Sequence, residues 1–232
     1  MLPPQTLARL RQQGGVYFDL DGTLLDSAPD FQLVLDSLCL DHGIPTPQPV
    51  AVQSTVSSGA RALVSMAFNM ATDAPGFDAL LAEMLRRYGE QIENSQAQLY
   101  AGMAQLLELL EQEGIAWGVV TNKPVRYSRP LLESLKLLSR CSVLVCPDDV
   151  ARTKPDPEPL FLAATRTSRD AASSIYVGDH PRDIEAGKAA GMTTIAAGYG
   201  YLPESPAIDL WGADFIVRDV DQISRMLWPE KV

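Results

Sequence analysis

The sequence predicts an α/β fold: a doubly wound parallel sheet carrying a small inserted α-helical cap. Three observations lead there. Short apolar runs at 15–18, 116–121, 142–146, 174–177, 193–197 and 215–217 alternate with amphipathic stretches, the pattern of crossover helices covering both faces of a parallel sheet. Between the first and second runs, residues 26–95 place their apolar side chains only at helical spacing. Finally, several runs stop abruptly at polar residues, and in open α/β sheets ligands bind at that carboxyl edge. Residues 1–25 and 96–232 are therefore read as the core, and 26–95 as the cap.

Met1-Leu2-Pro3-Pro4-Gln5-Thr6-Leu7-Ala8-Arg9-Leu10 reads as a short polar arm or helix, without the unbroken apolar core of a signal peptide. Gly15–Phe18 is a buried strand running straight into Asp19 and Asp21, after which Gly22 and Thr23 turn the chain away. From Pro29 to His42, Phe31, Val34, Leu35 and Leu38 share one helix face, ended by Gly43 and Pro45. A joint rich in proline (Pro45, Pro47, Pro49) follows. Ser54–Thr72 then reads as helical, with Leu63, Met66, Ala67 and Met70 on one face. Asp73–Gly76 is a turn, and Phe77–Glu93 a further helix carrying Phe77, Leu80, Leu81, Met84 and Tyr88. No strand is expected within 26–95. Core helices are expected at 103–113, 126–138, 157–167, 181–190 and 221–228; Pro181 in the first turn and Gly191 past the end frame the fourth of these.

At 232 residues, 46% apolar and 21% charged, the chain has the composition of a soluble globular protein with a sizeable core. No window approaches the roughly 20 apolar residues of a membrane span. Nineteen basic against 29 acidic residues give a net charge of −10, and the basic residues are scattered, which argues against a nucleic-acid partner. Cys39, Cys141 and Cys146 show no metal-ligand spacing and fit a reducing compartment, so a cytoplasmic protein is expected. Monomer and homodimer both stay open.

The chemistry starts at Asp19 and Asp21. Of the two, one can face a bound ion squarely, while the other serves through its carbonyl or as an acid/base. Later strands end at Thr121-Asn122 and at Gly178-Asp179-His180-Pro181-Arg182-Asp183, and Lys154 follows another. An acidic protein handling a phosphate needs local cationic help, and these oxygen ligands suit Mg²⁺. Singly, each residue has a plain alternative: Thr121 as a helix cap, Lys154 as a solvated loop lysine, Asp183 as an acid favoured by a helix dipole. Met66, Met70 and Met84 are core packing.

The ordered set Asp-x-Asp, Thr, Lys and Gly-Asp-x-x-x-Asp resembles the four motifs of the haloacid dehalogenase superfamily, with its Rossmann-like core. The resemblance implies a Mg²⁺-dependent phosphomonoester hydrolase acting on a small molecule. It implies Asp19 as the nucleophile forming an aspartyl-phosphate, and Asp21 as general acid and then base. Thr121, Asn122 and Lys154 would bind phosphate; Asp19, Asp21 (through its carbonyl) and Asp179 would hold the metal, with Asp183 supporting them. The acid at Asp21 argues against a dehalogenase, because a carbon–halogen bond needs no proton for its leaving group.

The cap resembles that of phosphoglycolate phosphatases. Within Ser57-Ser58-Gly59-Ala60-Arg61, Ser58 and Arg61 are expected at a cap helix start, meeting an anionic substrate tail, with a solvated arginine as the alternative. Lys123 is expected at the active-site mouth. The segments 143–150 and 154–160, Gly198-Tyr199-Gly200-Tyr201 and Trp211-Gly212-Ala213-Asp214 look like those of the N-acetylmuramic acid 6-phosphate phosphatases of cell-wall recycling. Both substrates carry a carboxylate besides the phosphate. A phosphosugar mutase of the same fold, or a non-catalytic phospho-ligand sensor, stays as the alternative.

Overall fold

The run of apolar residues before Asp19 becomes the central strand of the sheet. A computed structural model describes residues 2–228; Met1 of the N-terminal arm lies outside them. In chain order the strands are β1 (Gly15–Phe18), β2 (Leu25–Asp26), β3 (Gln98–Leu99), β4 (Ala116–Val120), β5 (Val143–Val145), β6 (Ile175–Gly178), β7 (Thr193–Ala197) and β8 (Phe215–Val217). Six of them form one sheet, β5-β4-β1-β6-β7-β8, in which every pair is parallel. The chain lays strands to one side of β1 and then crosses to the other at β6. In a doubly wound sheet the ligand crevice opens at such a switch point, here between the carboxyl ends of β1 and β6.

Alternate residues of the strands serve opposite faces. Val16, Phe18, Trp117, Val119, Ile175 and Val177 pack into one apolar layer with Leu106, Leu107 and Leu110 of α6 (Met103–Gln112) and Ile223 and Leu227 of α10 (Val220–Leu227). Tyr17, Val120, Val145 and Tyr176 pack on the other, against Leu160 and Ala163 of α8 (Glu158–Arg166) and Ala186 of α9 (Pro181–Ala189). The N-terminal arm is a helix, α1 (Pro4–Gln13), and α7 (Val125–Ser134) follows β4. No helix among the described residues is long and apolar enough to cross a membrane.

Helices α2 (Ala28–Asp41), α3 (Pro49–Val56), α4 (Ala60–Phe68) and α5 (Phe77–Gln91) share a separate apolar cluster built on Phe31, Leu35, Leu38, Leu63, Phe77, Met84 and Tyr88. Three expectations need correction. The helix expected over Ser54–Thr72 is two, broken at Ser57-Ser58-Gly59, where Gly59 takes a left-handed φ of 94°. The helix expected to Leu138 stops at Ser134; Lys136 turns the chain at φ 57°, and Leu137 folds back into the core. Asp26, expected in a strandless segment, lies in β2, which pairs antiparallel with β3.

Gly118 of β4 sits opposite Val143 of β5, and a Cβ there would fall 2.5 Å from Val143 Cγ1 and 2.8 Å from its carbonyl oxygen. Gly118→Ala should destabilise the protein by about 1–3 kcal/mol through overpacking, read as a lower denaturation midpoint in urea. An unchanged midpoint would show that β5 yields freely.

Candidate active site

The site is built where β1 and β6 end. The Asp19 N–H donates to Val177 O at 2.9 Å, extending the ladder by one residue past β1. Gly22 then turns the chain at φ 81°, and a Cβ at this position would fall 2.0 Å from Asp179 Oδ2. Only glycine lets the backbone pass so closely over that carboxylate. Past β6, Asp179 leads into α9, whose first turn holds Asp183.

Asp19, Asp179 and Asp183 are buried, and one oxygen from each lies within 4.8 Å of the others. Lys154 answers them. Its Nζ lies 2.8 Å from Asp19 Oδ1, 2.6 Å from Asp183 Oδ1, 2.7 Å from the Tyr176 hydroxyl and 3.0 Å from Val120 O. Asp179 Oδ1 accepts from Thr23 Oγ1 at 3.1 Å; its Oδ2 accepts from Tyr201 N at 2.9 Å and Ser57 Oγ at 2.8 Å. The same Ser57 hydroxyl is 3.5 Å from Asp21 O.

Burial raises Asp19, Lys154 pulls it back and Asp183 pushes it up again, leaving it at about 6. Asp179 is held well above the usual carboxylate range by burial and by Asp19 and Asp183. Burial alone would lower Lys154; Asp183 and Asp19 outweigh it and raise it. Three clustered buried carboxylates, two of them bonded to the Lys154 ammonium, form an all-oxygen donor set that fits a hard divalent cation.

The Asp21 carboxylate belongs to a second network. It accepts from Ser27 Oγ and from Lys123 Nζ at 2.9 Å. Lys123, expected at the mouth, is buried. It also donates to the Tyr88 hydroxyl and lies 4.6 Å and 4.9 Å over the Tyr88 and Phe31 rings, which stack on each other at 4.2 Å. A cavity of about 160 Å³ opens between these two networks.

Of the residues expected from sequence, Asp19, Asp21, Thr121, Asn122, Lys123, Lys154 and Asp183 line this cavity, and Asp179 abuts it through the acidic cluster. Asn122 spends its amide N–H on Lys154 O at 2.9 Å. Ser58 and Arg61 are not among the lining residues. The Arg61 side chain is exposed, lies 3.3 Å from Asp78 Oδ1, donates to Thr72 O at 2.9 Å and covers the Phe77 ring. Sequence reading missed Ser57, Tyr88 and Arg182, all of which line the cavity. Tyr88 reads as packing on an apolar face, and Ser57 carries no signal beyond its place beside Gly59.

A ligand crevice at a sheet switch point, holding a lysine-bound carboxylate among buried acids, defines an α/β enzyme centre for an anionic substrate. The chain belongs to the haloacid dehalogenase-like hydrolase family, whose profile matches residues 16–197. It is 45% identical over 202 residues to the N-acetylmuramic acid 6-phosphate phosphatase of Pseudomonas putida, covering 87% of this chain and 90% of that one. It is 40% identical over 222 residues to the phosphoglycolate phosphatase of Xanthomonas campestris pv. campestris, covering 95% and 100%. Among solved structures, a predicted phosphoglycolate phosphatase from Haemophilus somnus superposes with a TM-score of 0.81 at 27% identity, covering 93% of this chain and 98% of that one.

Removing Lys154 leaves Asp19 and Asp183 buried without their counter-charge. Lys154→Met should cost about 3–5 kcal/mol at pH 7.5, measured by chemical denaturation. A loss under about 1 kcal/mol would mean that the acids shed their charge at little cost.

Proposed function

We propose that the chain is a Mg²⁺-dependent phosphomonoester phosphatase. Its substrate is a small carboxylated phosphate, phosphoglycolate or N-acetylmuramic acid 6-phosphate, and it works through an aspartyl-phosphate on Asp19. One observation carries this reading: Lys154 tethers Asp19 Oδ1, while Oδ2 has no hydrogen-bond partner among the described residues, and the residue lines the cavity. A carboxylate fixed by one oxygen and free at the other is poised for attack. The names of the relatives support the substrate class, and the three free cysteines support a cytoplasmic setting.

In this reading Asp19 Oδ2 attacks phosphorus, and the bond from phosphorus to the alcohol oxygen breaks. Asp21, held by Ser27 and Lys123 at the cavity wall, gives its proton to the departing oxygen. Asp21 then takes a proton from the water that attacks the acyl phosphate, freeing Asp19 and inorganic phosphate. Thr121 and Lys154 bind the phosphoryl oxygens; Asp19, Asp179 and the Asp21 carbonyl would hold the Mg²⁺, with Asp183 behind them. The cation, when bound, offsets the repulsion between carboxylate and phosphate. Residues 26–95 act as a cap over the core 1–25 and 96–232, supported by their separate apolar cluster.

Phosphate release from the two carboxylated esters in the presence of Mg²⁺ tests the reading. Asp19→Asn should reduce it by several orders of magnitude without changing the circular dichroism spectrum; retained turnover would remove Asp19 as nucleophile. A second test concerns the cation. Mg²⁺ must displace protons from carboxylates that burial holds high, Asp19 at about 6, so affinity should weaken as pH falls through 6. Calorimetry in buffers of different ionisation enthalpy should show protons released on binding. Equal affinity at pH 5.5 and 7.5 would place the cation elsewhere.

A further inference from the structure

Three strongly basic side chains line the cavity: Lys123, Lys154 and Arg182. Lys154 is committed to Asp19 and Asp183, and Lys123 to Asp21. Arg182 meets no carboxylate among the described residues. Its main-chain N–H and its Nε both lie 3.2 Å from His180 Nδ1, and its second terminal nitrogen lies 3.5 Å from His180 Nε2. An imidazole carries no negative charge in either protonation state, so His180 gives the guanidinium no anionic partner.

Arg182 is also the second residue of α9, where the helix dipole presents its positive end and disfavours a cation. The acid beside it, Asp183, is fully engaged: Oδ1 with Lys154, Oδ2 with the His180 N–H. A guanidinium left uncompensated in the wall of a substrate cavity is a receptor for a second anion, and its planar fork matches a carboxylate.

We propose that Arg182 receives the carboxylate of the substrate while the phosphoryl group lies at Asp19 and Lys154, and thereby sets the preference for carboxylated phosphomonoesters. This rests on the phosphatase reading above. It moves the role expected of Arg61, which Asp78 and Thr72 occupy, to a residue that lines the cavity.

The test pairs substrates that differ in the carboxylate alone or nearly so: phosphoglycolate with 2-hydroxyethyl phosphate, and N-acetylmuramic acid 6-phosphate with N-acetylglucosamine 6-phosphate. In whichever pair the wild type hydrolyses, Arg182→Ala should lower kcat/KM for the acid about ten- to a hundredfold more than for its neutral partner, chiefly through KM. That is the size of one charge-assisted pair. Arg182→Lys should recover part of the difference. Equal losses on both members of a pair, or a wild type without preference for the acid, overturn the inference and leave the phosphatase reading standing. A wild type releasing no phosphate from any of the four overturns both.

Discussion

The Lys154 ammonium among three carboxylates is the interaction on which the site depends. At 4 Å and an effective dielectric near 20, each unit-charge pair is worth about 4 kcal/mol, so one cation cannot neutralise Asp19, Asp179 and Asp183 together. Protons or a metal ion must supply the rest, which is why burial leaves Asp19 and Asp179 high. The sheet makes this crowding affordable. Asp19 and Asp179 continue adjacent parallel strands, Lys154 comes from the loop after β5, and Tyr176 of β6 sits beneath with its hydroxyl turned to Val120 O at 2.8 Å. Rigid strands hold the like charges together, where a mobile loop would let them part.

The Asp21 side chain obeys a different constraint. Asp21 shares Lys123 with an aromatic pair drawn from α2 and α5, and a cation held between stacked rings and a carboxylate gains from both. The electrostatics around Asp21 thus depend on where the inserted helices lie. Ser57 adds a second such dependence, since its hydroxyl uses the oxygen of Asp179 that Tyr201 N also approaches.

The strand ends were legible because an apolar run that stops at Asp, Thr or Gly-Asp fixes both the element and its edge. The convergence of Asp19, Lys154 and Asp179 then follows from parallel strands sharing one carboxyl edge. Side-chain direction was harder to read. Arg61 stands near the start of a helix, α4, but the turn before α5 brings Asp78 and Thr72 to its guanidinium, a contact no periodicity encodes. Lys123 is buried because Tyr88, 35 residues earlier, reaches it across the cavity. Strands of two residues, such as β2 and β3, are too short to show an alternation at all. The break at Ser57–Gly59 was hidden because apolar spacing continues on either side.

That two-residue pair has a consequence of its own. The chain leaves the sheet for the inserted helices through Leu25–Asp26 and returns through Gln98–Leu99, and these segments are bonded to each other, Leu25 opposite Leu99 and Asp26 opposite Gln98. Two separate tethers would let the helices slide, twist and tilt independently. Tied into a ribbon, they behave as one strap, so displacement of one crossing drags the other with it. The strap begins four residues after Asp21, and Gly22 N already bonds Leu25 O at 2.9 Å. Asp21, proposed above as the acid/base, is therefore mechanically linked to the joint about which the helices would swing.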